Sequence, residues 1–200
     1  MSMNRKSDFF AMLSRMKYIE RWALMRNSEK ENVSEHSLEV AMIAHALAVI
    51  SNVRLGNNLN TERAALIGLY HDSTEIITGD MPTPVKYYNN ELKTAFKEVE
   101  KVAAQKLLSM LPDDMRDYYD SLFFLDPDSE EEIYLWKLEK AADKLSALIK
   151  CIEEEKAGNK EFSSAYQALW SSLIDMELEE VHIFIEEFLP SYRKTLDELT

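Results

Sequence analysis

Along almost the whole chain the apolar residues recur at intervals of three and four, and only four glycines and five prolines interrupt them. That period puts apolar side chains on one stripe of an α-helix and does not fit the alternation of a half-buried strand. The sequence therefore predicts an all-α protein. Helices are expected over about 7–19, 33–53, 60–77, 91–111, 113–124, 130–158 and 162–189, with a short one over 192–199. Asn32 and Glu35 have capping-box spacing before the second helix, as do Ser129 and Glu132 before the sixth. The stretch "GDMPTPVKYYNN" (79–90), with its two prolines, reads as a loop.

At 200 residues the chain suits one domain, 1–200, with a core over about 30–160 and the C-terminal helices packed on it. Such a chain buries roughly 70% of its unfolded surface. The apolar runs near Ile43 and Ile149 carry charges at their edges and read as too short to span a membrane. The start "MSMNRKSDFF" has no apolar signal core. A cytoplasmic protein with no membrane partner is expected. The single cysteine, Cys151, excludes an internal disulfide and a thiolate-rich zinc site, so any metal must be held by histidines and carboxylates. A net charge of -13 argues against a nucleic-acid polymer as partner. A small phosphate ester needs only a local group of cations.

"LYHDSTEIITGD" (69–80) sets His71, Asp72, Glu75 and Asp80 into an otherwise apolar stretch. Burying such groups costs several kcal/mol unless they are paired or bound to a metal. On a helix, His71 and Asp72 lie four and three positions from Glu75 and lean toward one stripe. Asp143 likewise interrupts the apolar period of Leu138, Ala142, Leu145 and Ile149. His45, nine positions after His36, points to the opposite face of their helix. Taken singly, His36 reads as a satisfied core histidine, and Asp143 as a salt-bridge partner of Lys140 or Lys144. Taken together, two imidazoles and two carboxylates suit a divalent transition metal such as Co²⁺, Mn²⁺, Fe²⁺ or Zn²⁺. His45, His182 and Cys151 are assigned to packing or surface, Met12, Met16 and Met42 to core filling, and the acidic runs 126–132 and 153–155 to solvated helix ends and faces.

The pattern His36, His71-Asp72, Asp143 resembles the signature of the HD-domain metal phosphohydrolases, an all-α superfamily. The blocks "RWALMRNSEKENVSEHSLEVAMIAHALA", "YHDSTEIITGDMPTPVKYYN" and "KAADKLSALIKCIEE" are similar, more narrowly, to the bacterial 5'-deoxynucleotidases, over about 9–191. The resemblance implies a helical HD-domain fold and hydrolysis of deoxyribonucleoside 5'-monophosphates with one divalent metal, Co²⁺, Mn²⁺ or similar, and a metal-bound water. It implies His36, His71, Asp72 and Asp143 as metal ligands and Glu75 and Asp72 as catalytic groups. Substrate contacts would come from Arg21, Trp22, Asp72, Asp80, Met81, Pro82, Thr83 and Asp143, and the assembly would be a homodimer. Arg21 offers a planar fork for phosphate, Lys86 a point charge, and Trp22 a bulk that excludes a 2'-hydroxyl. Ala23 stands where a proline is expected. The alternatives are an HD-type nucleotide phosphodiesterase or pyrophosphohydrolase and, without turnover, a metal-stabilised helical interaction module.

Overall fold

The computed structural model describes residues 6–86 and 88–199, apart from the side chains of Thr83 and Pro84. Its α-helices are α1 (Phe9–Leu13), α2 (Val33–Leu55), α3 (Thr61–Tyr70), α4 (Glu75–Thr78), α5 (Thr83–Lys86), α6 (Asn90–Leu108), α7 (Asp113–Phe123), α8 (Glu130–Lys156), α9 (Ser163–Ile174) and α10 (Glu179–Glu187). One 3₁₀ helix follows α1 (Ser14–Tyr18) and two follow α10 (Leu189–Arg193 and Leu196–Glu198). Among the described residues there is no strand, only an isolated antiparallel bridge between Glu20 and Asn32.

Local chemistry sets the helix ends. The Asn32 side chain accepts from the Ser34 and Glu35 N–H groups while Glu35 reaches back to the Asn32 N–H, completing the expected box. Gly56, at φ 78°, ends α2 in the left-handed region that glycine enters without strain. Ser129 caps α8 through the Glu132 N–H. The helix expected over 60–77 is divided. At 71–74 the backbone closes i+3 bonds, Ser73 N–H to Tyr70 O and Glu75 N–H to Asp72 O, so α3 and α4 are separate pieces. The helix expected over 7–19 is α1 plus a 3₁₀ turn, the loop over 79–90 contains α5, and the segment 162–189 breaks between α9 and α10.

The main core is built on α2, which packs against α3 and α8, with α9 and α10 completing it. Leu173, Leu178, Val181, Phe184 and Leu189 belong to this cluster, so the C-terminal helices supply core rather than merely cover it. A second cluster, Phe9, Leu107, Leu108 and Leu111, joins α1 to α6. Burying these side chains contributes about 1.5–3 kcal/mol for each large one.

Two expectations need correction. By length and composition α2 does reach the dimensions of a membrane span, its most apolar stretch having a mean hydropathy of 1.5. It is the central core helix, which passes the same test, because its apolar residues meet other helices. Met42 is 59% exposed and fills no core, whereas Met16 is buried.

The closest helix contact is at Gly68. A Cβ there would lie 2.9 Å from Ala41 Cα and 3.0 Å from Ala41 N, both backbone atoms that cannot swing aside. The absence of a side chain is what lets α3 lie directly on α2. Gly68→Ala is therefore expected to destabilise the protein by about 1–3 kcal/mol through overpacking, read as a lowered urea midpoint.

Candidate metal centre and active site

The α2–α3 contact delivers His71 to the same point as His36, their ring centroids 5.2 Å apart. His36, from the first turn of α2, is fully buried. Its Nε2 lies 3.1 Å from Asp143 Oδ1 on α8 and 3.6 Å from Asp72 Oδ2. His71 Nε2 lies 3.1 Å from the same Asp72 oxygen. Ligand atoms of His36, His71 and Asp143 all fall within 4.8 Å of one another. His36 and Asp143 come from helices of the main core, and His71 is the residue that caps the end of α3. Asp72 comes from the i+3 turn after α3, so it joins the group by tertiary placement and not along a continuous helical stripe.

Hydrogen bonds at the far side of each ring fix which nitrogen is free. His71 Nδ1 lies 2.7 Å from the Gly68 carbonyl, which can only accept, so Nδ1 carries a hydrogen and Nε2 is the nitrogen left to take up a proton or a metal. His36 Nδ1 lies 3.0 Å from Ser146 Oγ, whose own hydroxyl donates to Glu39 Oε2 at 2.6 Å. With its proton committed to Glu39, Ser146 accepts from Nδ1–H, and again Nε2 is left bare. Both Nε2 atoms are buried with no hydrogen-bond partner. Two imidazole nitrogens that face two carboxylates, at 3.1 Å each, fit a divalent cation.

The electrostatics divide the ionisable groups. For Asp72, burial favours the neutral form, but His71 and His36 outweigh it and hold the carboxyl at about 2. Asp143 is likewise driven well below the carboxylate range, burial being overcome first by the His36 imidazole, whose Nε2 is 3.1 Å away. For His71, burial opposes a charge, yet Asp72, with Glu139 and Asp143, raises it to about 10. A cation entering here thus displaces a proton. Glu75, at the start of α4, goes the other way. Burial and then the Asp72 and Asp80 carboxylates push it up to about 9, and its Oε2 is buried without a partner. Asp80 is raised chiefly by burial, with Arg21 opposing.

Arg21 donates from Nε to Glu31 at 3.1 Å and from Nη1 to Asp72 at 3.3 Å, which sets a guanidinium beside the ligand group. Burial is outweighed by Asp72, Asp143 and Glu31, so its pKa is raised. Trp22 packs on Phe162 at 5.3 Å, and its carbonyl, which accepts from Asn27 Nδ2 and Met25 N–H, is tied down despite Ala23. Met81 is half-buried and Pro82 exposed, the Pro82 carbonyl accepting from the Val85 and Lys86 N–H groups that open α5. The Thr83 side chain falls outside the described residues. Lys86 ion-pairs with Glu100 on α6 at 2.7 Å and lies over the Phe96 ring. His45 is exposed, His182 half-buried and Cys151 buried, all away from the cluster as expected.

Several residues here escaped sequence reasoning. Glu39 and Ser146 each follow a cluster residue by three, and Glu139 precedes Asp143 by four, so helical spacing alone placed them on the same faces. Glu139 is buried, and burial pushes it to about 7 although His71 opposes. The run 153–155 is not simply solvated. Glu154 is buried, pairs with Lys150 at 2.6 Å and accepts from the Ser28 N–H and Asn159, clamping the loop after Trp22 to α8. In the run 126–132, Glu132 pairs with a mostly buried Arg63 at 2.8 Å.

An all-helical fold with His36, His71-Asp72 and Asp143 converging on one point is the architecture of an HD-domain phosphohydrolase. An HD-domain phosphohydrolase from Listeria innocua superposes with a TM-score of 0.79 at 27% identity, covering 92% of this chain and 88% of that one. The chain belongs to the 5'-deoxynucleotidase YfbR-like family, whose model matches residues 8–192. It is 49% identical over 196 residues to the 5'-deoxynucleotidase YfbR of Shigella dysenteriae, covering 98% of this chain and 97% of that protein. It is 50% identical over 194 residues to a 5'-deoxynucleotidase of Erwinia tasmaniensis, covering 97% and 96%. The fold, though at 20% identity no more, is shared with the cyanophage S-2L HD phosphohydrolase bound to dA and one catalytic Zn²⁺ (TM-score 0.65, 92% and 96% covered).

The Glu39 carboxyl supports a test of this network in the metal-free protein. Burial raises it from 4.5 to about 7, against the Ser146 hydrogen bond. The folded state then binds the proton more tightly than the unfolded state, so stability is lost as pH rises from 4.5 to 7. Glu39→Gln cannot ionise and keeps an acceptor for Ser146. Its Tm, measured with chelator from pH 4 to 9, is expected to climb relative to the parent's through that window and to hold a constant lead above it.

Proposed function

We propose that this chain is a metal-dependent 5'-deoxynucleotidase that hydrolyses deoxyribonucleoside 5'-monophosphates to deoxynucleoside and inorganic phosphate. The observation that carries this reading is 49–50% identity, over nearly the whole of both chains, to proteins named for that activity. The site's chemistry supports it. His36, His71, Asp72 and Asp143 would hold one divalent ion, Co²⁺ or Mn²⁺ by the character of the donors. Such an ion, when bound, supplies Lewis acidity at a phosphate oxygen and an activated water near neutral pH.

The chain's own groups would do the rest. Arg21, beside Asp72, takes the phosphate oxygens with its planar fork. Asp72 and Asp143 flank the phosphate beside the cation. Glu75, held protonated by burial and its acidic neighbours, gives its proton to the 5'-oxygen as the P–O bond breaks. A bound cation lowers that pKa, bringing the group nearer the working pH. Trp22 fills the volume a 2'-hydroxyl would need, while Asp80, Met81, Pro82 and Thr83 meet the sugar and its 3'-hydroxyl.

The assembly in this reading is a cytoplasmic homodimer of one-domain subunits, 1–200. Exposed Leu38, Met42 and Val53 recur at helical spacing along α2, an apolar face that a second copy would cover. Light scattering is then expected to give twice the 23.2 kDa chain mass.

The test of the activity is phosphate release from paired deoxy- and ribonucleoside 5'-monophosphates by metal-stripped protein resupplied separately with Co²⁺, Mn²⁺, Zn²⁺ and Mg²⁺. Release confined to the deoxy partner is expected, with Co²⁺ or Mn²⁺ most active. Nucleotide products from a diester or triphosphate, with no phosphate from monophosphates, would replace this reading by the phosphodiesterase or pyrophosphohydrolase one. Glu75→Gln is expected to lower kcat by about 10²- to 10⁴-fold at unchanged metal content.

A further inference from the structure

One carboxylate oxygen holds both side chains that the proposed function assigns to phosphate and sugar. Glu31 Oε2 accepts from Arg21 Nε at 3.1 Å and from Trp22 Nε1 at 3.0 Å. The backbone enforces the meeting. Arg21 N–H donates to Glu31 O, Val33 N–H donates to Ile19 O, and Glu20 bridges Asn32, so residues 19–21 and 31–33 lie side by side as a short antiparallel pair. The carboxylate sits in a nearly closed setting, the Glu31 and Arg21 side chains being 13% and 12% exposed. There a charge-assisted hydrogen bond is stronger than at a wet surface.

Trp22 requires such an anchor. Its φ is +56°, a left-handed conformation that a bulky non-glycine residue rarely adopts. A strained backbone at that point persists only where the surroundings over-determine it. Among the described residues the indole meets the Phe162 ring, tilted by 59° to it, and Glu31 at its N–H. Phe162 limits where the ring can lie, and Glu31 fixes its rotation by holding the single donor it possesses.

We propose that Glu31 is a positioning residue that couples phosphate binding to sugar discrimination: by pinning Arg21 and Trp22 with one oxygen, it fixes the spacing between the phosphate cation and the wall against the 2' position. The proposal rests on the substrate reading given above. Among the described residues the Glu31 carboxylate hydrogen-bonds to Arg21 and Trp22 and to no ligand of the metal cluster. The two bonds are separable by substitution. Glutamine keeps an oxygen for the indole N–H but brings no charge to Arg21, whereas alanine loses both.

The experiment compares the parent, Glu31→Gln and Glu31→Ala on paired deoxy- and ribonucleoside 5'-monophosphates. It also records the indole Nε1–H and arginine Nε–H resonances in ¹⁵N-labelled protein without substrate. In Glu31→Ala both resonances are expected to move, KM for the deoxy substrate to rise about tenfold, as the loss of a charged hydrogen bond implies, and the deoxy-to-ribo preference to fall about tenfold. In Glu31→Gln the preference is expected to return to within about threefold of the parent while KM stays raised, a split that general loosening of the fold does not produce. Should Glu31→Ala fail to fold, the Glu31→Gln split decides alone. Unmoved resonances, or moved resonances with unchanged KM and preference, overturn the proposal. A parent that releases no phosphate from either substrate, with the resonances still moving in Glu31→Ala, overturns the substrate reading and leaves the anchoring standing.

Discussion

The approach of α3 onto α2 at Gly68 is the contact on which the rest of the site depends. Two helices meet backbone to backbone there, 2.9 Å from where a Cβ would be, and the Gly68 carbonyl that results is the acceptor for His71 Nδ1. A wider separation would move His71 away from His36 and Asp143, because each is fixed to a different rigid helix. Packing and ligand geometry are therefore one constraint. The core that excludes water is also what leaves the two Nε2 atoms without partners.

Burying this much charge divides the carboxylates by role. Asp72 and Asp143 face imidazoles and stay ionised, while Glu75, Glu39 and Glu139 face mostly apolar surroundings or other acids and are pushed up. Opposite displacements in a small volume separate groups that stay ionised from groups that hold a proton. Around them runs a shell of fixed acceptors. Ser146 and Glu39 stand behind His36, Gly68 O behind His71, and Glu31 behind Arg21 and Trp22. The loop that follows Trp22 is held in turn by Glu154 and Lys150 on α8. Through these bonds α8, the longest helix, supports both the histidine–aspartate cluster and the loop after Trp22.

The helices were legible because their signal is local. Asn32 with Glu35, Ser129 with Glu132, and the three-four spacing act within a few residues, and α2 and α8 begin where those patterns say. The site was legible as chemistry: a His-Asp pair and an isolated Asp among apolar neighbours cost too much to bury for nothing. Less visible were features set by distant partners. The break at 71–74 is made by i+3 backbone bonds that the apolar spacing does not mark. Met42 looks like core filler in the sequence but lies on the open face of α2, and Glu154 looks solvated but is buried under the 26–29 loop.

By itself the sequence determined that the chain is helical, where most helices start, and which histidines and carboxylates are too costly to leave unpaired in a core. Propensity, capping and the price of burying charge act on residues a turn or less apart, or on each residue alone. Only the tertiary structure decided that Asp72 and His71 leave the helix to meet His36 and Asp143, which nitrogen of each imidazole stays bare, and that Glu31 grips Arg21 and Trp22 together. Those outcomes depend on directional contacts beyond a single helical turn, some nine or ten residues apart as at Glu31 and others more than a hundred as between His36 and Ser146, whose geometry exists only once the segments have packed.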